Sequence, residues 1–131
     1  MDPRPRTILV ADDEADLRRL VVRRLRRAGH EVVEAADGEA AWALALEHDF
    51  DVAVLDVRMP LLDGYSLTRR IRADEATHDM GVILLTASAQ EHEEQTGRDA
   101  GADRYMHKPF VPAELLAAVD ELCAARDGAG D

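Results

Sequence analysis

Thr7-Ile8-Leu9-Val10-Ala11, followed at once by Asp12-Asp13-Glu14, is the stretch that decides the fold. The first five residues are almost continuously apolar and include the β-branched Ile8 and Val10, the pattern of a strand covered on both faces. Comparable runs recur at Glu31 to Ala35, Val52 to Leu55 and Val82 to Leu85, with a weaker one at Arg104 to His107. Between them lie segments of helical spacing: Leu17, Leu20, Val21, Leu25 and Ala28 in the first, and Ala40, Ala41, Leu44 and Ala45 in the second. A third helix is expected to start near Gly64 and carry Leu67 and Ile71. A fifth follows Pro112 with Leu115, Leu116, Val119 and Leu122. Strict β-α alternation with short connections predicts right-handed crossovers, hence a doubly wound α/β domain whose parallel sheet lies between two helical layers.

The fourth helix, Gln90 to Ala100, is the weak one. It carries hardly any large apolar residue, and Gly97 in its interior costs about 1 kcal/mol relative to alanine. Two explanations stand open: a marginal helix that a small input can shift, or a glycine that permits close packing on the sheet.

The remaining composition narrows the class. A chain of 131 residues, 47% hydrophobic and 33% charged, suits one soluble domain. No apolar run approaches the roughly 20 residues a membrane-spanning helix needs. Met1-Asp2-Pro3-Arg4-Pro5-Arg6 lacks a signal-peptide core, so a cytoplasmic location is expected. Residues 1–6 read as a flexible lead-in, 7–123 as the domain and 124–131 as a fraying polar tail, leaving nothing to encode an output module. Cys123 is the only cysteine, and its apolar neighbours in sequence suit a small buried side chain better than a redox group. The net charge of -11 opposes direct nucleic-acid binding. Arg18, Arg19, Arg23, Arg24, Arg26 and Arg27 form a local exception. Without interleaved aromatic residues they read as a solvated helix face.

In open α/β sheets, ligands bind beyond the carboxyl ends of the strands, where strand order reverses. There the first strand runs into Asp12-Asp13-Glu14, the third ends in Asp56, the fourth in Thr86 and the fifth in Lys108. Singly each is unremarkable: Asp12 and Asp13 could cap a helix, Asp56 could make a turn, and Lys108 could be solvated. Gathered at one rim they are not. Two carboxylates about 4 Å apart repel by roughly 4 kcal/mol at an effective dielectric near 20. A hard divalent cation relieves that repulsion, and oxygen ligands without cysteine or histidine favour magnesium. Such a site suits phosphoryl transfer to a carboxylate: Asp56 as nucleophile, a cation at Asp12 and Asp13, Lys108 and Thr86 on the remaining oxygens.

These residues resemble the receiver domains of two-component response regulators. The resemblance covers about Thr7 to Leu122 and rests on four blocks in order: Asp12-Asp13-Glu14, Asp56 to Gly64, Thr86-Ala87, and Gly101 to Phe110. It implies a flavodoxin-like (βα)5 fold of strand order 2-1-3-4-5, with Asp56 as phosphoacceptor. It implies Mg2+, or Mn2+, ligated by Asp13, Asp56 and the backbone carbonyl of Arg58, with Asp12 acting through water. Lys108-Pro109 matches the family's cis peptide, and Ala87 is small, as the family requires beside the phosphate. Tyr105 matches its switch aromatic, which turns into the space opened when Thr86 moves toward the phosphoryl group. The implied partners are a sensor histidine kinase or histidine phosphotransfer protein and an unnamed downstream protein target reading the helix 4/strand 5/helix 5 surface. No membrane or nucleic-acid contact is implied, and the chain would be a monomer or a phosphorylation-dependent dimer. Kinase docking is expected on the first helix, with Arg18, Arg19 and Val22 facing outward. Arg58, two residues after the phosphoacceptor, leaves phosphoryl lifetime open.

Three other functions fit the residues less well. An aspartyl-phosphate phosphatase of the haloacid-dehalogenase kind needs a second aspartate where Arg58 stands, a nucleotide-binding flavodoxin-like protein needs a glycine-rich loop after the first strand, and an interaction module with a silent site would not need the complete acidic pocket. The chain could equally be a receiver cut from a longer regulator with a DNA-binding or enzymatic output domain.

Overall fold

The computed structural model describes residues 6–87 and 91–129. Strands β1 (Thr7–Ala11), β2 (Glu31–Ala35), β3 (Val52–Asp56), β4 (Gly81–Thr86) and β5 (Arg104–His107) alternate with five helices. These are α1 (Ala15–Arg27), α2 (Gly38–Glu47), α3 (Gly64–Ala73), α4 (Glu91–Ala100) and α5 (Pro112–Ala129). Neighbouring strands all pair in parallel, in the order β2-β1-β3-β4-β5. This is the expected flavodoxin-like topology, with strand order reversing between β1 and β3. Residues 1–5 of the expected lead-in, Gln90 of the expected fourth helix and the last two residues lie outside the described residues.

Alternation along the strands splits the core in two. Ile8, Val10, Val52, Val54, Ile83 and Leu85 face α1 and α5. Leu9, Ala11, Ala53, Leu55, Val82 and Leu84 face α2 and α3. None of these twelve is more than 2% exposed, so the sheet is covered on both faces, as its unbroken apolar runs require. Burial of each larger one contributes about 1.5–3 kcal/mol. Among the described residues no helix is long and apolar enough to cross a membrane.

Several local expectations are corrected. The stripe of α1 facing the sheet holds Leu17, Val21 and Leu25 as expected, joined by Val22 and the half-buried Arg18, whereas Leu20 is 40% exposed and Ala28 also lies outside the core. Val22, expected to face outward, is 3% exposed. Positions 18, 21, 22 and 25 share one helical face, and Arg18 is drawn inward by donating to the Asp12 carbonyl (2.8 Å) and Glu34 (2.9 Å). On α2 the buried positions are Gly38, Ala41 and Ala45, and Ala40 is exposed. The final helix does not stop at Cys123. It runs on to Ala129, with Arg126 donating to the Phe50 carbonyl at 3.1 Å and Asp127 paired with Arg6. Cys123 is buried, and burial pushes its thiol up to about 11, which suits the inert role expected of it.

Two glycines answer to packing. A Cβ on Gly64 would lie 2.6 Å from the Asp56 carbonyl oxygen, so α3 can start against the end of β3 only without a side chain. On Gly97 it would lie 2.9 Å from Tyr105 Cδ2 and 3.2 Å from Leu84 Cδ1. Close packing against β4 and β5, the second of the two open explanations, therefore accounts for this glycine.

Candidate functional site

Three strand ends deliver the acidic groups and their counter-charge to one rim. Asp12, directly after β1, is 2% exposed, and Asp56, the last residue of β3, is 4% exposed. Asp13 beside them is open to solvent, and carboxylate oxygens of Asp12, Asp13 and Asp56 lie within 4.8 Å of one another. Lys108, directly after β5, places Nζ 3.2 Å from Asp56 Oδ1, 3.3 Å from Asp12 Oδ2 and 3.3 Å from Glu14 Oε1. The Lys108-Pro109 peptide is cis. Thr86 ends β4 almost fully buried, and its carbonyl accepts the Lys108 N–H at 2.6 Å. Helix capping does not explain the acidic pair: the N-cap of α1 is Glu14, which makes no side-chain cap. Asp12 Oδ1 instead accepts the Glu14 N–H at 2.9 Å, which fixes the carboxylate in the rim.

The connection from β3 to α3 closes the site from the other side. Leu62 N–H donates to the Pro60 carbonyl at 2.8 Å, with Leu61 between them at φ 72. A γ-turn of this hand is rare for a branched residue and stores about 1–3 kcal/mol. It ends where Asp63 caps α3 by accepting the Ser66 N–H at 2.8 Å. Arg58 donates its backbone N–H to the Asp56 carboxylate, while its guanidinium reaches Glu93 Oε1 at 3.5 Å. Asp13, Arg58, Tyr65 and Glu93 line one open depression at the rim.

All the expected site residues except Tyr105 thus sit at one end of the sheet. Tyr105 stands on the neighbouring flank, half-buried against α4, with its hydroxyl 2.9 Å from that of Tyr65. Sequence reasoning did not single out Tyr65, Glu93 or the Glu14 contact to Lys108. The only available sign was that Tyr65 and Tyr105 are the chain's two tyrosines.

Burial and the neighbouring Asp12 push the Asp56 carboxyl up to about 6, against the pull of Lys108. Burial alone would lower Lys108, but Asp12 and Asp56 outweigh it and hold the ammonium above its ordinary value. A carboxyl raised from 3.8 in the unfolded chain to about 6 here is a liability once ionised. Below about pH 4 both states are protonated, between about pH 4 and 6 the unfolded chain releases the proton that the folded state retains, and above 6 both are ionised, so the penalty builds up across that window. In chelator-treated buffer, stability should therefore fall by roughly 2–3 kcal/mol between pH 4 and 7 from this group. Urea unfolding of the wild type and of Asp56→Asn checks it, since the variant should lack this component of the pH dependence.

Comparison with known proteins accords with this geometry. The family model described as the response regulator receiver domain matches residues 8–120. The phosphate regulon transcriptional regulatory protein PhoB of Pseudomonas aeruginosa is 39% identical over 96% of this chain and 55% of its own length. The DNA-binding dual master transcriptional regulator RpaA of Synechocystis is 40% identical over 92% of this chain and 50% of its own. The chain thus spans about half the length of these curated relatives. A putative response regulator from Chloroflexus aurantiacus superposes with a TM-score of 0.88 at 36% identity, over 92% of this chain and 99% of that one. The receiver domain of sensor histidine kinase PA1611 from Pseudomonas aeruginosa, solved with a magnesium ion coordinated in its active-site cleft, gives 0.85 at 34% identity, over 92% and 99%. A five-stranded sheet with this reversal, an acidic rim closed by a lysine and a family match over most of its length place the chain in the response regulator receiver domain family of two-component phosphorelay signalling.

Proposed function

We propose that this chain accepts a phosphoryl group on Asp56 from a histidine kinase or phosphotransfer protein and acts as a switch, not as a turnover enzyme. The observation that carries it is the contact set of Lys108, whose ammonium spans the buried carboxylates of Asp12 and Asp56. The donor set fits a hard divalent ion: three carboxylates within 4.8 Å, all oxygen, one of them reluctant to ionise alone. Asp12, Asp13, Asp56 and the Arg58 carbonyl are the groups that would hold Mg2+ or Mn2+, and a bound ion would neutralise both the cluster and an incoming phosphoryl oxygen.

The residues then have distinct tasks. An Asp56 carboxylate oxygen attacks phosphorus, the P–N bond to the donor imidazole breaks, and the nitrogen keeps the electron pair. Lys108 pairs with one phosphoryl oxygen and the Thr86 hydroxyl donates to another. Because these contacts arise only with the phosphoryl group in place, they bias a pre-existing equilibrium that Tyr105 carries to the surface of α4, β5 and α5. The donor protein docks at the opposite side of the rim. There Leu17, Leu20 and Phe110 line an apolar depression beside Lys108, in place of the Val22 contact expected from sequence. The matched relatives are about twice this length and are transcriptional regulators, which favours a second reading in which the chain is the receiver half of a DNA-binding regulator.

Incubation with acetyl phosphate should add one phosphoryl mass in the presence of Mg2+ and none in chelator, read on the intact protein. Equal labelling under both conditions would remove the metal from the account.

A further inference from the structure

Tyr65 and Tyr105 come from α3 and β5, 40 residues apart, yet their hydroxyls meet at 2.9 Å. The Tyr65 hydroxyl donates to the Glu93 main-chain carbonyl in the first turn of α4, also at 2.9 Å. A phenol has one proton to give, so with Tyr65 committed to Glu93 it is Tyr105 that donates to Tyr65. The result is a directed chain from β5 through α3 to α4. One helical turn beyond Glu93, the missing side chain of Gly97 makes room for the Tyr105 ring, which a Cβ would approach to 2.9 Å. Glu93 also meets the phosphoacceptor loop, through the 3.5 Å contact of its Oε1 with Arg58. Burial, followed by the bond to Tyr105, raises the Tyr65 phenol well above its ordinary value, so its hydroxyl keeps the proton it donates to Glu93.

We infer that Tyr65 is a positioning residue of the switch, a catch whose hydroxyl holds the Tyr105 ring turned in against α4 and so favours the conformation that accepts the phosphoryl group. The proposal rests on Asp56 being the phosphoacceptor and Tyr105 the moving aromatic. It extends them by naming what Tyr105 grips when turned in, and why α4 tolerates a glycine at position 97. A catch of this kind lowers the ligand-independent cost of reaching the phosphorylated arrangement, and by linkage a ligand that favours that arrangement must tighten the catch.

The test uses the full chain and beryllofluoride with Mg2+ as a stand-in for the phosphoryl group. Tyr65→Phe keeps the ring and removes only the hydroxyl. It should weaken beryllofluoride binding roughly fivefold, the size expected for one net hydrogen bond. Tyr105→Phe should do the same, and the double variant should be no weaker than either single one, because both substitutions delete one shared bond. A purely structural role would lower the melting temperature of Tyr65→Phe and leave the affinity alone, and that result overturns the inference, as does an additive double variant. In 3-fluorotyrosine-labelled protein, beryllofluoride should shift both fluorine resonances together; a shift of the Tyr105 signal alone also overturns it. Failure of the wild type to bind beryllofluoride would instead sink the phosphoacceptor assignment itself.

Discussion

Asp56→Asn is expected to reduce phosphorylation by acetyl phosphate at least about a thousandfold, with the protein remaining folded. The size follows from removing the nucleophile itself, because an amide cannot replace a carboxylate in attack on phosphorus and neighbouring groups do not substitute for it. Folding should survive for a specific reason. Asp56 is 4% exposed and lies beside Asp12, so its charge is a burden that the fold carries for function. In chelator at pH 7 the variant should be more stable than the wild type, and urea midpoints measured alongside the labelling separate lost chemistry from lost structure. Labelling of the variant at the wild-type rate would mean that another residue takes the phosphoryl group.

The second large effect is expected at Lys108. Its Nζ is the counter-charge to Asp12 and Asp56, with both carboxylates and the lysine at least 88% buried by side chain, judging from exposures of 12%, 3% and 6%. Removing one partner of a buried ionic cluster strands the others, a loss that typically costs 3–5 kcal/mol. Lys108→Met keeps the apolar stem and should destabilise the metal-free protein by about 3 kcal/mol at neutral pH. Saturating Mg2+ should restore part of that, because a cation among the carboxylates replaces the missing ammonium. Urea midpoints with and without Mg2+ measure both quantities. A change within the roughly 0.5 kcal/mol typical of surface substitutions would show that Lys108 carries no electrostatic weight in the pocket.

Much of this was legible in the sequence because strands buried on both faces cannot hide. Thr7–Ala11 and its counterparts at β3 and β4 read as apolar runs for the same reason that they pack between two helical layers. The rim was legible too, since the position of each strand end places Asp12, Asp56, Thr86 and Lys108 together once the topology is known. The rotation of α1 was not. Leu20 is as apolar as Val22, and the choice between them falls to Arg18, whose inward turn depends on partners at Asp12 and Glu34 that only tertiary structure supplies. The extent of α5 escaped for a similar reason: Arg126 and Asp127 look like a solvated tail until Phe50 and Arg6 are seen to receive them. Tyr65 gave no periodic or motif signal, because its contacts with Tyr105 and Glu93 join three elements that only the fold brings together.

The acidic rim as a magnesium-dependent phosphoacceptor is tested most directly by trapping the product in place. Protein phosphorylated with acetyl phosphate and Mg2+ is reduced with borohydride, which converts an aspartyl phosphate to homoserine, and the modified residue is located by peptide mass spectrometry. Homoserine is expected at position 56 and nowhere else, and none when Mg2+ is withheld. Modification at another carboxylate, or metal-independent modification at position 56, would contradict it.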